Sequence, residues 1–297
     1  MQGELPLVSI CIPTFNGAKY LEEALLSGFA QTYTNLEFLV SDDNSQDGTL
    51  AIVERMAKQH GVAVKIMHHE PAGIGANWNN CVEHAQGEYI KFLFQDDLLE
   101  PSCVQRMVDL ALTDERIALV YCRRKILHDA ANPADVAWVR QYGELHKVWR
   151  NITVQEGMVD GKTYLRDPYL MQIPHNKIGE PSAVLLKRDS FKRTGLFDLR
   201  LKQILDLVHW YKVMLEFKIG FVDEQLVTFR LHAGQATQVN SASGDIPDPG
   251  MQKRLFHELF GPHLDPAVRK ALWREVSFWA RLRTKALQRL RGLTHGQ

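Results

Sequence analysis

Hydrophobic positions change period along the first hundred residues. Leu7 to Ile12 is a short apolar run with β-branched members, closed by Pro13, and predicts a strand. From Lys19 to Ala30 the apolar residues Leu21, Ala24 and Leu25 fall at helical spacing. The alternation repeats with a strand at 36–40, a helix at 49–60, a strand at 62–67, a helix at 76–85 and a strand at 89–94, where YIKFLF is almost wholly apolar. Continuous apolar strands separated by helices indicate a parallel sheet buried on both faces. The expected fold class is α/β, a mostly parallel sheet with helices on both faces.

Between Arg123 and His175 the pattern is irregular, with scattered charge. Order returns at Ser182 to Leu186, in a helical pattern over 206–217, and in strands at 219–222 and 226–230. Residues 233–250 are rich in Gly, Ser, Asp and Pro and read as a loop, with helical patterns beyond. The expected organisation is one domain over 1–235, with a first half at 1–122 and a second at 123–235. A loop and helical C-terminal extension follows over 236–297.

Composition removes several classes. The 297 residues, 45% of them hydrophobic, suffice for a sizeable core. Thirty-five basic residues balance 35 acidic ones, so no global field favours nucleic acid. The start, MQGELPLVSICIPT, lacks the basic and apolar regions of a secretory leader, and no run of about 18 apolar residues could span a bilayer. Cys11, Cys81, Cys103 and Cys122 form no CxxC pair and read as buried reduced thiols, which fits a cytoplasmic protein.

Polar clusters follow three of the strands: Thr14-Phe15-Asn16, Ser41-Asp42-Asp43-Asn44-Ser45 and Gln95-Asp96-Asp97. In open α/β sheets, ligands sit beyond the carboxyl ends of the strands, so three clusters on one edge predict one site. Helix capping accounts for Asn16, Ser45 and Asp47, but not for two Asp-Asp pairs on the same edge.

The segments SICIPTFN at 9–16, DDNSQDGT at 42–49 and GEYIKFLFQDD at 87–97, with Phe197-Asp198 and Asp206, resemble the family 2 glycosyltransferases of the GT-A fold. The resemblance runs from about Leu7 to His232 and implies inverting transfer of a sugar from a nucleotide diphosphate, a UDP-sugar donor being expected. The acceptor would be a hydroxyl of a glycan or lipid-linked saccharide, in surface polysaccharide or glycoconjugate synthesis. A departing diphosphate needs its growing charge stabilised, a task suited to Mn2+ or Mg2+ on carboxylates. By resemblance Asp97 touches that metal, and Asp96 holds the ribose or a metal-bound water. Pro13, Phe15 and Asp43 line the base pocket, and Asn79 hydrogen-bonds the nucleotide. His232 is a candidate third metal ligand and Arg230 a phosphate contact, while Glu180 faces the acceptor. Inversion needs one general base, and Asp206 is the candidate. The chain departs from the family at Trp78, where many members carry Arg, and at Leu205, where an acidic residue precedes the base.

Two further readings stay open. One is a nucleotide-sugar-binding or scaffold protein on the same fold without turnover, motivated by Trp78 and Leu205. The other concerns residues 264–297, which carry eight Lys or Arg against Asp265 and Glu275, a net +6. With Leu272, Val276, Trp279, Ala286, Leu287 and Leu290 at roughly helical spacing, the stretch fits an anionic membrane surface. It equally fits a helix that packs on the catalytic domain or on a second subunit.

Overall fold

The computed structural model describes residues 5–235 and 249–278. The strands are β1 (Val8–Thr14), β2 (Leu36–Asp42), β3 (Val64–His68), β4 (Tyr89–Phe92), β5 (Leu98–Leu99), β6 (Ile117–Leu127), β7 (Gly157–Asp160), β8 (Val184–Lys187) and β9 (Lys218–Arg230). The helices are α1 (Leu21–Phe29), α2 (Thr49–His60), α3 (Ile74–His84), α4 (Cys103–Ala111), α5 (Pro133–Tyr142), α6 (Gly161–Leu165), α7 (Phe191–Thr194), α8 (Leu205–Glu216) and α9 (Pro249–Phe260), and residues 266–278 are helical. All strands share one sheet in the order β3-β2-β1-β4-β8-β6-β9-β5, with β7 on β9. β1 to β4 pair in parallel, β8 runs antiparallel to β4 and β6, and β6 pairs in parallel with β9. The parallel character therefore belongs to the first hundred residues, and the second half makes the sheet mixed.

Side chains alternate across each strand, which divides the core between two faces. Val8, Ile10 and Ile12 point to one face, with Leu21 and Leu25 of α1, Val53 of α2 and Met107 of α4. Cys11 and Phe92 point to the other, with Trp78 of α3, Tyr164 of α6 and Trp210 of α8. Phe256, Phe260, Leu264, Val268 and Leu272 join this second face, where Tyr211 meets the rings of Phe256 and Phe260 at 5.5 and 5.6 Å. The beginning of the C-terminal extension thus packs on the helix that carries Asp206. Residues 279–297, with most of the basic stretch, lie outside the described residues. Among the described residues no helix is long and apolar enough to cross a membrane, and all four cysteines are buried thiols.

Two expectations change. The segment from Arg123 to His175 is not irregular: it holds the outer half of β6, α5, β7 and α6. The outer half of β6 buries only one of its last five residues, Arg124, and α5 buries none, so neither shows an apolar period. The two strands expected at 219–222 and 226–230 are one, β9. Its register against β6 shifts between Cys122 and Arg124, so Asp223, Glu224 and Gln225 form a polar interruption. There Asp223 pairs with Arg123 at 3.2 Å, and Arg106 Nε donates to Glu224 at 2.7 Å.

Candidate active site

The carboxyl ends of β1, β2 and β4 meet at one edge, tied together by polar side chains. Asp42 turns inward: Thr14 Oγ1 and Ser45 Oγ donate to it at 2.7 and 2.6 Å. Gln95 clamps the loop after β1 from both sides, accepting from Phe15 N at 2.9 Å and donating to Phe15 O at 3.1 Å. These bonds fix the loop backbone while the Phe15 ring stays 54% exposed, free to stack. Pro13, by contrast, is buried within β1 and opposite Ser41, so it supports the loop from below. Asp43 is nearly buried, and its Oδ1 lies 2.9 Å from Nδ1 of His69. Its other oxygen has a free lone pair for a ring N–H.

His69 was missed by the sequence reading. It follows β3, and extending the strand-end rule to that strand would have exposed it. Tyr20 and Lys19 were missed as well. The Tyr20 ring carries Lys19 Nζ at 4.7 Å, the Arg230 guanidinium at 4.4 Å and the His232 ring at 5.0 Å. This gathers positive charge beside Asp96, where a diphosphate could sit. Arg230 already has partners: Nη2 donates to Glu23 at 2.7 Å and Nε to the Asp96 carbonyl at 3.1 Å.

The two aspartates after β4 part company. Asp97 is 1% exposed; one carboxylate oxygen accepts from Ser182 Oγ and the other from Arg230 N at 3.2 Å. Burial, then repulsion from Asp96, pushes its carboxyl well above the usual range, against the Ser182 hydrogen bond. Behind Ser182 the buried ammonium of Lys91 donates to the Ser182 carbonyl. Asp96 is half-buried and its Oδ2 lies 2.9 Å from Nε2 of His232. Gly234 N donates to the other imidazole nitrogen at 3.2 Å, which sets Nε2 toward the carboxylate. Asp96 is thus the more accessible of the two and has an imidazole beside it, whereas Asp97 is buried with one protein donor on each oxygen.

Asn79 is buried, and its amide donates to Phe197 O and accepts from Phe197 N, both at 2.9 Å, which ties α3 to the segment before α8. Trp78 sits in an aromatic cluster, 5.1 Å from Phe94 and 5.2 Å from Phe197, so α3 presents core where an Arg was expected. Asn77, one position earlier, reaches the edge instead, donating to Thr14 O at 3.1 Å.

Asp206 lies in the first turn of α8, after Ile204 in the left-handed region at φ 59°. A helix N-terminus favours a carboxylate's charge. Burial opposes it and pushes the carboxyl up to about 6, with Glu180 adding repulsion and the Leu207 N–H and Asn176 opposing the rise. Asn176 Nδ2 donates to Asp206 Oδ2 at 2.8 Å and to Gly179 O at 2.9 Å, and Asn176 Oδ1 accepts from Gly179 N at 3.0 Å. This loop also carries Glu180, whose Oε2 lies 2.9 Å from Arg124 Nε. A carboxyl with a pKa near neutrality can hold or take a proton there.

Residues 9–170 match the family described as Glycosyl transferase family 2. An uncharacterized glycosyltransferase of Rickettsia prowazekii is 30% identical over 259 residues, which are 85% of this chain and 74% of that protein. The fold is similar to that of Staphylococcus aureus TarS 1–349 in complex with UDP-GlcNAc, with a TM-score of 0.65, 19% identity, and coverage of 91% of this chain and 71% of that one. It is also similar to the mannosyltransferase PcManGT from Pyrobaculum calidifontis in complex with GDP-Man and Mn2+, with a TM-score of 0.55, 19% identity, and coverage of 97% and 81%. The solved structures bear on the fold.

Proposed function

The chain belongs to glycosyl transferase family 2, and from that premise we propose that it is an inverting transferase that uses a UDP-sugar and a divalent cation. Its activity class is transfer of a sugar from a nucleotide-sugar donor. In this reading the acceptor is a hydroxyl of a glycan or lipid-linked saccharide, and residues 1–122 serve the nucleotide while 123–235 serve the acceptor. The observation that carries it is Asp206, a single carboxylate pushed up to about 6 and held by Asn176. Single displacement with inversion needs one such base and no second acid.

Phe15 would stack on the base, and the open oxygen of Asp43 would accept the uracil ring N–H, with His69 holding the first oxygen. Arg230 and Lys19, drawn to the Tyr20 ring, would face the diphosphate. A carboxylate and an imidazole suit Mn2+ or Mg2+, so Asp96 and His232 would hold the metal. Among the described residues there is no set of three or more His, Cys, Asp or Glu that could hold a metal. When bound, that ion stabilises charge on the departing diphosphate. Asp206 takes the acceptor hydroxyl proton as the oxygen attacks the anomeric carbon, and the bond from that carbon to the phosphate oxygen breaks so that UDP leaves from the opposite face.

The test is hydrolysis of a panel of UDP-, GDP- and dTDP-sugars with Mn2+ or Mg2+, run on wild type and Asp206→Asn. Hydrolysis of a UDP-sugar that needs metal and Asp206 is expected. Turnover confined to GDP- or dTDP-sugars, or none with any donor, overturns the reading.

A further inference from the structure

Leu205 leaves this chain without the acidic neighbour expected before its base. Leu205 itself is 2% exposed and lies in the core. Another carboxylate comes close from a different element. Glu180, in the loop before β8, follows Gly179, and Asn176 Nδ2 bridges the Gly179 carbonyl at 2.9 Å and Asp206 Oδ2 at 2.8 Å, so the loop that carries Glu180 is tied to the base. The charge of Glu180 adds to the rise of the Asp206 carboxyl. Its position is not left to solvent. Arg124 of β6 reaches it at 2.9 Å, with 4% of the Arg124 side chain exposed and 23% of that of Glu180.

Arg124 is itself framed. Its Nη2 donates to the Tyr142 carbonyl at 2.9 Å. Its guanidinium lies 5.9 Å from the Trp138 ring and 5.8 Å from Phe229, and these two rings stack at 5.7 Å and 14°. The remaining wall is the 176–180 loop: a Cβ on Gly179 would come within 3.7 Å of Arg124 Nη1. Within this frame Arg124 Nε and Glu180 Oε2 are close but make no aligned hydrogen bond to any described group. They are held as a charge pair, and Glu180 keeps hydrogen-bonding capacity on its open side.

We propose that Arg124 is a positioning residue for the transfer: it anchors Glu180 beside Asp206, so that Glu180 replaces from β8's side the acidic neighbour missing at Leu205. Glu180 accepts a hydrogen bond from the acceptor next to the attacking oxygen. Arg124 offsets part of the added charge, and the negative remainder suits neutral hydroxyls and disfavours phosphate or carboxylate groups. Glu180 also adds to the rise that burial imposes on the Asp206 carboxyl. Of the other charged or titratable groups nearby, Lys212 of α8 is pushed down by burial, with the charges of Asp198 and Arg200 acting on it in opposite senses, and His209 is pushed down to about 3 by burial. Asn176 is neutral.

The inference rests on Asp206 as base, so the experiment separates the two. Metal-dependent hydrolysis of the donor found by the panel is followed as kcat against pH for Asp206→Asn, Glu180→Gln, Arg124→Gln, Arg124→Lys and Arg124→Gln with Glu180→Gln. Asp206→Asn retaining the wild-type profile sinks the base reading itself. With the base reading intact, Glu180→Gln should move the acid limb of wild type to lower pH, because a negative neighbour is gone. Arg124→Gln should move it to higher pH, Arg124→Lys should move it less, and the double variant should fall back toward Glu180→Gln. UDP affinity should stay within about twofold throughout, since neither residue serves the nucleotide. An acid limb that stays in place in Glu180→Gln and Arg124→Gln overturns the proposal. Should Arg124→Gln fail to fold, Glu180→Gln and Arg124→Lys decide it alone.

Discussion

If Asp206 is a base placed where burial resists its charge, the fold is less stable for having it ionised. Its carboxyl is pushed from 3.8 to about 6. An unfolded Asp titrates near ~3.9, so between about pH 4 and pH 6 the native chain holds more protons than the unfolded one, and stability from this group falls as pH rises through that window. The shift of about two units corresponds to roughly 3 kcal/mol, and because the side chain is only half-buried the expected penalty is about 1–3 kcal/mol. Asp206→Asn removes the charge, and its amide oxygen can still accept from Asn176 and from the Leu207 N–H. Relative to wild type the variant should therefore gain about 1–3 kcal/mol between about pH 4.5 and about pH 8. Urea unfolding at both pH values measures this, with calorimetry for UDP affinity and donor hydrolysis for turnover. Affinity should hold while kcat drops by at least roughly a hundredfold, the scale for losing a general base. A stability difference that stays flat with pH would refute the argument from burial. A variant that unfolds at both pH values would show that the side chain serves only to start α8.

Further outcomes follow from the same geometry. Asp96→Ala should abolish the Mn2+ dependence of UDP binding in calorimetry and leave the unfolding midpoint near wild type, whereas Asp97→Ala should lower that midpoint, because Ser182 and Arg230 N lose a buried acceptor; the opposite assignment would restore Asp97 as the ligand. Asn79→Ala should cost about 1–3 kcal/mol in urea unfolding, since the Phe197 N–H and C=O are left unpaired, with UDP affinity unchanged. The basic stretch is expected to hold anionic lipid, each Lys or Arg adding about 1 kcal/mol near the surface. The full chain should then sediment with anionic but not neutral vesicles, less so in salt, and truncation after Phe278, which spares the packed Leu264, Val268 and Leu272, should abolish it; equal recovery in the supernatant for both chains assigns the stretch to protein packing.

The fold was legible where both faces of a strand are buried. β1, β2 and β4 have apolar runs because neither side meets water, and α2 is read to its exact residues from Thr49 to His60. Legibility failed where one face is open or polar. The outer half of β6 reads Arg123-Arg124-Lys125, with Arg124 buried through an ion pair and two aromatic faces rather than by apolar character. No period in hydrophobicity can find such a residue. The interruption in β9 is similar, since Asp223 and Glu224 are answered by Arg123 and Arg106 from other elements.

The candidate site divides along the same line. Strand ends are local, so the rule that ligands gather beyond them found the clusters of Phe15, Asp43 and Asp96 from sequence. Which lone pairs remain there is not local. Asp96 and Asp97 are adjacent and chemically identical, yet successive side chains leave the backbone in different directions. One meets Ser182, 85 positions away in sequence, and the other meets His232 across 136 positions. Asn79 likewise bonds Phe197, 118 positions away. A motif therefore identifies the positions where chemistry can occur, and partners distant in sequence decide how each of its members is buried and oriented. By the same logic the proposed substitution of Glu180 for the acidic neighbour absent at Leu205 needs only nearness in space, since Asn176 ties the loop that carries Glu180 to Asp206 from a different element.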